Sequence, residues 1–454
     1  MNSMDKLGSI DEIVIDEKID AARLLELLRV GSTDLPAGYL HWRKIGPHTV
    51  PAHLSVRECW LAMKLHRQTG RREIGLKDRD GRPFTLGAME PFAEALHRLD
   101  REAKEAKEVR EGTEVKAARR TQRVRARERH MVSALMEEAA GTWTVEGVAT
   151  PLELARELLR TGRTPQDDEE RLIQNTYHTL EFVREARGQP LSLALFSEMH
   201  QRLLAGTAWS RPAGQLRRED QPLEFQDEEG GFAHAPPPSA ELPARLKALL
   251  AFANGRAPGF FVHPVVRAIL AHFWVLHDQP FATGNGPMAR AVFYWAVWHA
   301  GYDDFACLSL SRLLRDAPGA YRRAVHDTET DDNDLNYFVA HQLGLIERAQ
   351  RAQQDEVRQQ ETETRAAEQQ CAGVANLNPR QHALLAQALK HPAHRHTLRE
   401  HARAHRLSRQ TARNDFNALV TLGYFEEAKS GKTLVFFAVP QSEEKIQLPP
   451  GALP

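Results

Sequence analysis

The chain has 454 residues, of which 42% are hydrophobic and 27% charged, and a formal net charge of −1. That length supports two or three domains with cores of their own, and that charge excludes a global attraction to nucleic acid or anionic lipid, so any such affinity has to come from a local patch. The cysteines Cys59, Cys307 and Cys371 are odd in number and far apart, which excludes a disulfide framework and points to a reducing compartment. The opening residues Met1 to Lys6 carry no apolar signal-like core, and no apolar run approaches the roughly 18 to 20 residues of a membrane span, so a cytoplasmic protein without a membrane partner is expected.

In chain order, residues 1–35 form an N-terminal segment and residues 36–130 a helical region. The latter opens with the Trp-containing stretches LHWRKIGPHTV and LSVRECWLAMKLHRQ, which suggest a small helical cap, followed by a turn-like KDRDGRPF. Residues 101–130 mix both charge signs with few large apolar side chains and read as a solvated helical face. Residues 131–350 are the main domain, with apolar residues at helical spacing in Ile173–Val183, Leu191–Leu204, Pro243–Phe252 and Val265–Leu276. Residues 351–377 are polar all round and fit a spacer helix; residues 378–440 form a compact helical region ending in a hairpin, and 441–454 a tail. The expected class is mostly α.

The segment with the clearest chemical character is Pro280–Arg290, between two helical patterns. Gly284 and Gly286 flank Asn285, so the backbone can adopt positive φ and approach a ligand closely, and the next helix offers free N–H groups and its positive dipole end. Such a turn can cradle phosphates, with Pro287 at the first helical position and Arg290 one turn inside, reaching back to a terminal phosphate. On local sequence alone, a plain Gly-Asn-Gly turn between core helices is an equal alternative.

The wider context resembles the Fic family, whose signature reads H-P-F-x-(D/E)-G-N-G-R-x-x-R. The similarity runs through GTWTVEGVATPLELARELLRTGRTP, LSLALFSEMHQRLLAGT, GQLRRED, FAHAPPPSAEL, the loop with its flanks, and YRRAVHDTETDDNDLNYFVAHQL, or about residues 36 to 350. The resemblance implies a Fic-type helical bundle with a β-hairpin flap, and a C-terminal winged helix-turn-helix is usual in the long form. Fic proteins typically transfer AMP from ATP to a protein hydroxyl. Here Gln279 stands where the family has its base histidine, Thr283 where it has the magnesium-holding acid, and Pro287 where it has the first arginine. Gly284, Asn285, Gly286 and the second arginine, Arg290, are retained as nucleotide-binding positions.

These departures bear on chemistry. An amide cannot act as a general base, which is typically worth about 10² to 10⁴ in rate, and proline cannot replace a phosphate-clamping arginine worth roughly 10³ to 10⁵. A threonine hydroxyl is a poor magnesium ligand, so weak ATP or ADP binding is expected without efficient metal support, and no metal ligands are assigned. His277 lies two residues before Gln279, about 200° round the helix, and so is expected to face away from the loop near terminal carbonyls.

Two further features follow from the resemblance. Thr142-Trp143-Thr144-Val145-Glu146-Gly147 matches the inhibitory motif (S/T)-x-x-x-E-(G/N), which implies that Glu146 offers a bidentate carboxylate to Arg290 in competition with the γ-phosphate. The alternative is a surface carboxylate before a turn glycine. Between Gly214 and Pro238, Leu223, Glu224 and Phe225 opposite Phe232 and His234 form the implied flap, which in the family registers a protein target by strand addition; simply covering the cradle is the alternative.

In residues 378–439, Thr397 can cap a helix through about His405, and Ser408 can cap one that runs to Leu422 and stops at Gly423. Ala412, Phe416, Leu419 and Val420 share one face of the second helix, leaving Arg409, Gln410, Arg413, Asn414 and Asn417 on the other. Two strands around Ser430-Gly431 complete the order of a winged helix. Ten basic residues, among them Arg380 and Lys432, stand against four acidic ones, a local excess of six positive charges. DNA is therefore the expected partner of Ser408, Arg409, Gln410, Arg413, Asn414, Asn417 and Lys432, with protein contacts the alternative. The reading taken is a catalytically impaired, nucleotide-binding Fic-like protein acting as a DNA-binding regulator. Its rivals are an active AMP transferase with an altered base or donor, and an interaction scaffold; a homodimer stays open.

Overall fold

A computed structural model describes residues 10–31, 34–36, 38–111, 117–148, 150–221, 225–226, 233–372, 374, 377–390, 395–405, 407–430 and 433–439. The chain divides into two units, residues 1–350 and 351–454. Among the described residues no helix is long and apolar enough to cross a membrane.

The first unit is helical around two consecutive helices, Pro264–Asp278 and Asn285–His299. Both are apolar on nearly every face, and so both are buried in the main core. The first begins where its sequence can start a helix: Pro264 takes the first position, where its missing N–H is harmless, and the His263 side chain accepts from Val265 N. Ala117–Val145, Asp168–Glu185, Leu193–Leu203 and Leu242–Ala253 surround the pair.

A second, smaller core gathers Ile13, Leu27, Trp60, Leu61 and Met63 around Tyr337. Its helix Val56–Gln68 opens with a capping box, in which Ser55 Oγ accepts from Glu58 N while the Glu58 carboxylate accepts from Ser55 N. The N-terminal region is more than a helical cap, because the turn-like stretch closes an antiparallel pair, Arg72–Lys77 with Pro83–Leu86. The Asp78 carboxylate fixes that turn by accepting from the backbone N–H of Asp80 and Arg82. Phe84 of the second strand then packs edge-on against Phe273 and His277 of the central helix.

The expected flap is present as a two-residue antiparallel pair, Phe225–Gln226 with Ala233–His234. Leu223, Glu224 and Phe232 lie outside the described residues. The boundary between the units falls within the helix Asn336–Ala372, so the polar stretch is helical to Ala372.

The second unit contains helices Pro379–Lys390, Leu398–His405 and Arg409–Thr421 and a three-stranded antiparallel sheet. Strand Thr433–Ala438 is central, with Phe425–Ser430 on one side and His396–Thr397 on the other. Its core stacks Phe416 on Phe436 with centroids 4.2 Å apart and sets Phe425 edge-on to Phe416.

Candidate functional site

The loop is held open by two left-handed residues and one asparagine. Gln279 caps the helix Pro264–Asp278 at φ 44°, its N–H donating to Val275 O, a conformation that costs a side-chain-bearing residue about 1–2 kcal/mol. Gly284 caps the next helix at φ 74°, where glycine is at ease, and an added Cβ there would lie 3.3 Å from His200 Nε2. Between them the Asn285 side chain closes a ring on the backbone: Phe281 N donates to Oδ1 at 2.9 Å, and Nδ2 donates to Phe281 O at 2.7 Å. Asn285 thus fastens the loop.

Pro287 is the third residue of the following helix, not the first, because the helix starts at Asn285 directly after the left-handed Gly284. The position tolerates proline for the same reason as the first would, since N–H groups of the first turn have no helical acceptor. Met288 N already donates to Gly284 O at 3.1 Å. The helix start therefore offers the N–H groups of Asn285 and Gly286 to an anion, and Pro287 removes the third.

Two side chains from outside the loop fix its shape. His200 accepts from Gly214 N on Nδ1 at 2.8 Å and donates from Nε2 to Thr283 O at 2.9 Å, while its ring stacks on Phe281 at 3.6 Å. Burial pushes this imidazole down to about 4, so it is neutral, and both of its nitrogens are committed. Arg217 donates from Nε to Gln279 O at 2.8 Å and from its backbone N–H to Pro280 O at 2.9 Å. The buried Gln279 side chain approaches Asn285 Nδ2 at 3.5 Å, and Thr283 is half-buried.

Arg290 and Glu146 meet. Arg290 is fully buried; its Nε donates to Thr142 Oγ1, and its Nη2 donates to Thr142 O at 3.0 Å and to Glu146 Oε1 at 2.8 Å. The pair is single-contact rather than bidentate, because Thr142 occupies the rest of that edge of the guanidinium. Among the described residues the buried Nη1 makes no well-formed hydrogen bond, although the Tyr321 hydroxyl lies close to the guanidinium. The Glu146 carboxylate is one-third exposed and lies so close over the helix start that a methyl added to Gly286 would sit 2.0 Å from Oε1. Glu146 reaches this place because the helix ends at Val145 and turns on Gly147, whose φ is 91°.

His277 faces away from the loop, toward Glu329 rather than toward helix-end carbonyls: Nδ1 lies 2.8 Å from Glu329 Oε1. His234 approaches the same carboxylate. Burial alone would raise the Glu329 carboxyl, but hydrogen bonds from His234 and His277 hold it down to about 2. Burial likewise works against His234, yet Glu329 raises its pKa above the usual histidine value. Glu329 was not singled out by sequence reasoning, since its partners come from other segments of the chain.

In the second unit Ser408 caps its helix by accepting from Thr411 N, and Arg409, Gln410, Arg413, Asn414 and Asn417 are all exposed on it. Ala412, Phe416 and Leu419 are buried and Val420 is partly so. Lys432 lies outside the described residues. Arg380 is one-third exposed and paired, its Nε and Nη2 donating to the buried Asp415 at 2.9 and 3.1 Å.

The features of the first unit are a helix–loop–helix with a carboxylate arm against its arginine. Residues 190–297, which contain the hairpin and the whole loop, match the Fic/DOC family model, so this part of the chain is a Fic/DOC family domain. The protein adenylyltransferase Fic of Aedes aegypti is 31% identical over 105 residues, 23% of this chain and 19% of that protein, so the chain spans about a fifth of the curated relative it matches. A Fic family protein of Desulfovibrio desulfuricans G20 superimposes with a TM-score of 0.48 at 19% identity, covering 76% of this chain and 96% of that one. Fic-1 of C. elegans does so at 0.43 and 20% identity, covering 58% and 71%. Both superpositions are loose and carry no weight for function.

Proposed function

We propose that the first unit is a Fic-type cradle that binds nucleotide but is severely impaired in AMP transfer, and that the second unit is a DNA-binding winged helix, so that the protein acts as a regulator. The observation that carries this reading is the lack of a usable base at the loop. Gln279 cannot accept a proton, both nitrogens of His200 are committed, and His277 faces Glu329. The residues do not fit a magnesium-supported transfer, since Thr283 replaces a carboxylate and Pro287 removes both a guanidinium and a backbone donor. They do fit a phosphate: the N–H groups of Asn285 and Gly286 at the helix start are free of helical acceptors, and Arg290 lies one turn inside with Glu146 as its partly exposed partner. In this reading Glu146 is the inhibitory arm that occupies Arg290 until nucleotide displaces it, and the hairpin keeps the capacity to register a protein segment.

The test is intact-mass analysis of the Glu146→Gly protein after incubation with magnesium and each nucleoside triphosphate. No adduct is expected, whereas Gln279→His with Thr283→Asp and Pro287→Arg should restore one. An adduct on Glu146→Gly that is lost on Arg290→Ala would overturn the impaired reading and mean an unconventional base. Calorimetry should show ADP binding that strengthens on Glu146→Gly and is lost on Arg290→Ala.

The order of elements supports the winged-helix reading, with a capped helix exposing Arg409, Gln410, Arg413, Asn414 and Asn417 followed by a hairpin. Fluorescence anisotropy on a duplex of mixed sequence should show affinity that falls with salt and falls further in Arg409→Ala with Arg413→Ala. Binding indifferent to both changes would remove DNA from the proposal.

A further inference from the structure

Three segments remote in sequence meet beside the cradle: the returning strand of the hairpin, the last turn of the helix before the loop, and the helix Pro318–Thr330. Each brings one side chain able to bind a metal, His234, His277 and Glu329, and their donor atoms all lie within 4.8 Å of one another. His277 Nδ1 is 2.8 Å from Glu329 Oε1, and His234 Nδ1 is 3.0 Å from the same oxygen and 3.3 Å from Oε2. Both imidazoles are buried, and the carboxylate side chain is 15% exposed.

The protons at this cluster do not balance with neutral rings. His234 Nε2 lies 2.9 Å from the carbonyl oxygen of His277, to which it can only donate. A neutral His234 has one ring proton, already on Nε2, so Nδ1 turns a lone pair toward a carboxylate in a buried place. Two acceptors face to face require a positive centre between them. That centre is either a proton, making His234 an imidazolium, or a metal ion.

We propose that His234 Nδ1, His277 Nδ1 and the Glu329 carboxylate form a three-ligand site for zinc or a similar divalent transition metal. Two imidazoles and one carboxylate are a donor set zinc takes up, with a fourth position left for water. The His234 Nε2–H bond to a backbone carbonyl is the outer-shell contact that fixes a ligating tautomer. Tetrahedral ligands about 2.0 Å from a zinc ion stand about 3.3 Å apart, so the contacts of 2.8 and 3.0 Å have to open by a few tenths of an ångström while the two imidazole nitrogens, within 4.8 Å of each other, settle at that spacing. Outside the ligand set, Asp278 is held by Arg245 and Trp274, which leaves Glu329 as the carboxylate shared by both rings. Occupancy would clip the hairpin strand to the helix two residues before Gln279. The site stands on its own observations, whether or not the cradle binds nucleotide.

The test uses the full chain, stripped with a chelator and titrated with cobalt(II), then with zinc in competition with a chromophoric chelator. Expected are tetrahedral cobalt absorption bands in the visible, displaced by one equivalent of zinc per chain. Glu329→Gln and His234→Ala should each weaken zinc binding by more than the roughly 10–100-fold that loss of an outer-shell partner costs. The exposed His178, changed to Ala, should leave it unchanged. No zinc-displaceable band in the wild-type protein, or one that survives both Glu329→Gln and His234→Ala, would overturn the site and assign the positive centre to a proton. Because the wild-type spectrum is decisive alone, a variant that fails to fold does not shelter the proposal.

Discussion

Each unit of the molecule contains a buried arginine–carboxylate contact, and the two are built in opposite ways. In the second unit the carboxylate is the buried partner: Asp415 accepts a two-pronged contact from Arg380 together with bonds from Asn378 Nδ2 and His401 Nε2, each at 2.9 Å. Burial pulls the Asp415 carboxyl upward, but these donors hold it down to about 2. In the first unit the arginine is the buried partner, its Nη1 makes no well-formed hydrogen bond among the described residues, and the carboxylate is one-third open to water. A carboxylate with every lone pair engaged belongs to the architecture. A buried guanidinium that holds a partly exposed carboxylate by one contact is the easier of the two pairs to open, as the proposed displacement of Glu146 by nucleotide requires.

The largest effect that sharpens this contrast is expected at Asp415. Changing it to Ala leaves Asn378 and His401 without their acceptor and should cost the second unit about 3 kcal/mol, measured by hydrogen exchange of residues 378–438 in the full chain, with no recovery on adding any anion. Because the folded pKa lies below the unfolded one, this stabilisation is present above about pH 4 and is lost as pH falls toward about 2. Asp415→Asn should remove that portion of the acid sensitivity; an unchanged acid profile would mean that Asp415 is no more engaged than a surface carboxylate.

A smaller effect with the opposite anion response is expected at Glu146. All seven tryptophans lie between Trp42 and Trp298, so their fluorescence follows the first unit alone. Glu146→Gly removes the carboxylate bonded to the buried Arg290 and should lower stability by about 1–2 kcal/mol, discounted from the 3–5 kcal/mol of a fully buried pair because the carboxylate is one-third exposed. ADP should recover the loss with a logarithmic dependence on concentration. Recovery in the Asp415 variant, or none in this one, would break the comparison.

How much of this was readable in the sequence depends on how local each cause is. The loop was legible because Gly284, Asn285 and Gly286 act through their own backbone, and the helix caps at Thr397 and Ser408 are equally local. Pro287 stands two positions further into the helix than a proline-first start implies, because the left-handed Gly284, not the proline, sets the helix start. The strand His396–Thr397 has no pattern of its own and exists through pairing with Val435 and Phe436. Arg380 adds to the local basic excess in the sequence, but its pairing is not legible there, because its partner Asp415 sits among apolar residues of a helix whose pattern divides simply into apolar and polar faces. The cluster of His234, His277 and Glu329 was illegible for the same reason, since three separate elements have to fold before those atoms meet.

The finest probe of the exchangeable pair is Gly286→Ala. Its methyl would stand 2.0 Å from Oε1, 2.5 Å from Cδ and 2.7 Å from Oε2 of Glu146, so the carboxylate has to move. The obstacle is the tip of a flexible, partly exposed side chain, and alanine is favoured over glycine in a helix by up to about 1 kcal/mol, so the net cost should stay below about 1 kcal/mol. That cost should depend on Glu146. In the Glu146→Gly background the clash is gone, and Gly286→Ala should become neutral or slightly stabilising, a coupling that a double-mutant cycle on tryptophan-monitored melting can read. The methyl also narrows the approach to the Asn285 and Gly286 N–H groups, so displacing Glu146 in this way should not strengthen ADP binding as Glu146→Gly does. An equal cost in both backgrounds would place the Glu146 carboxylate away from the helix start and remove the physical basis for calling the pair exchangeable.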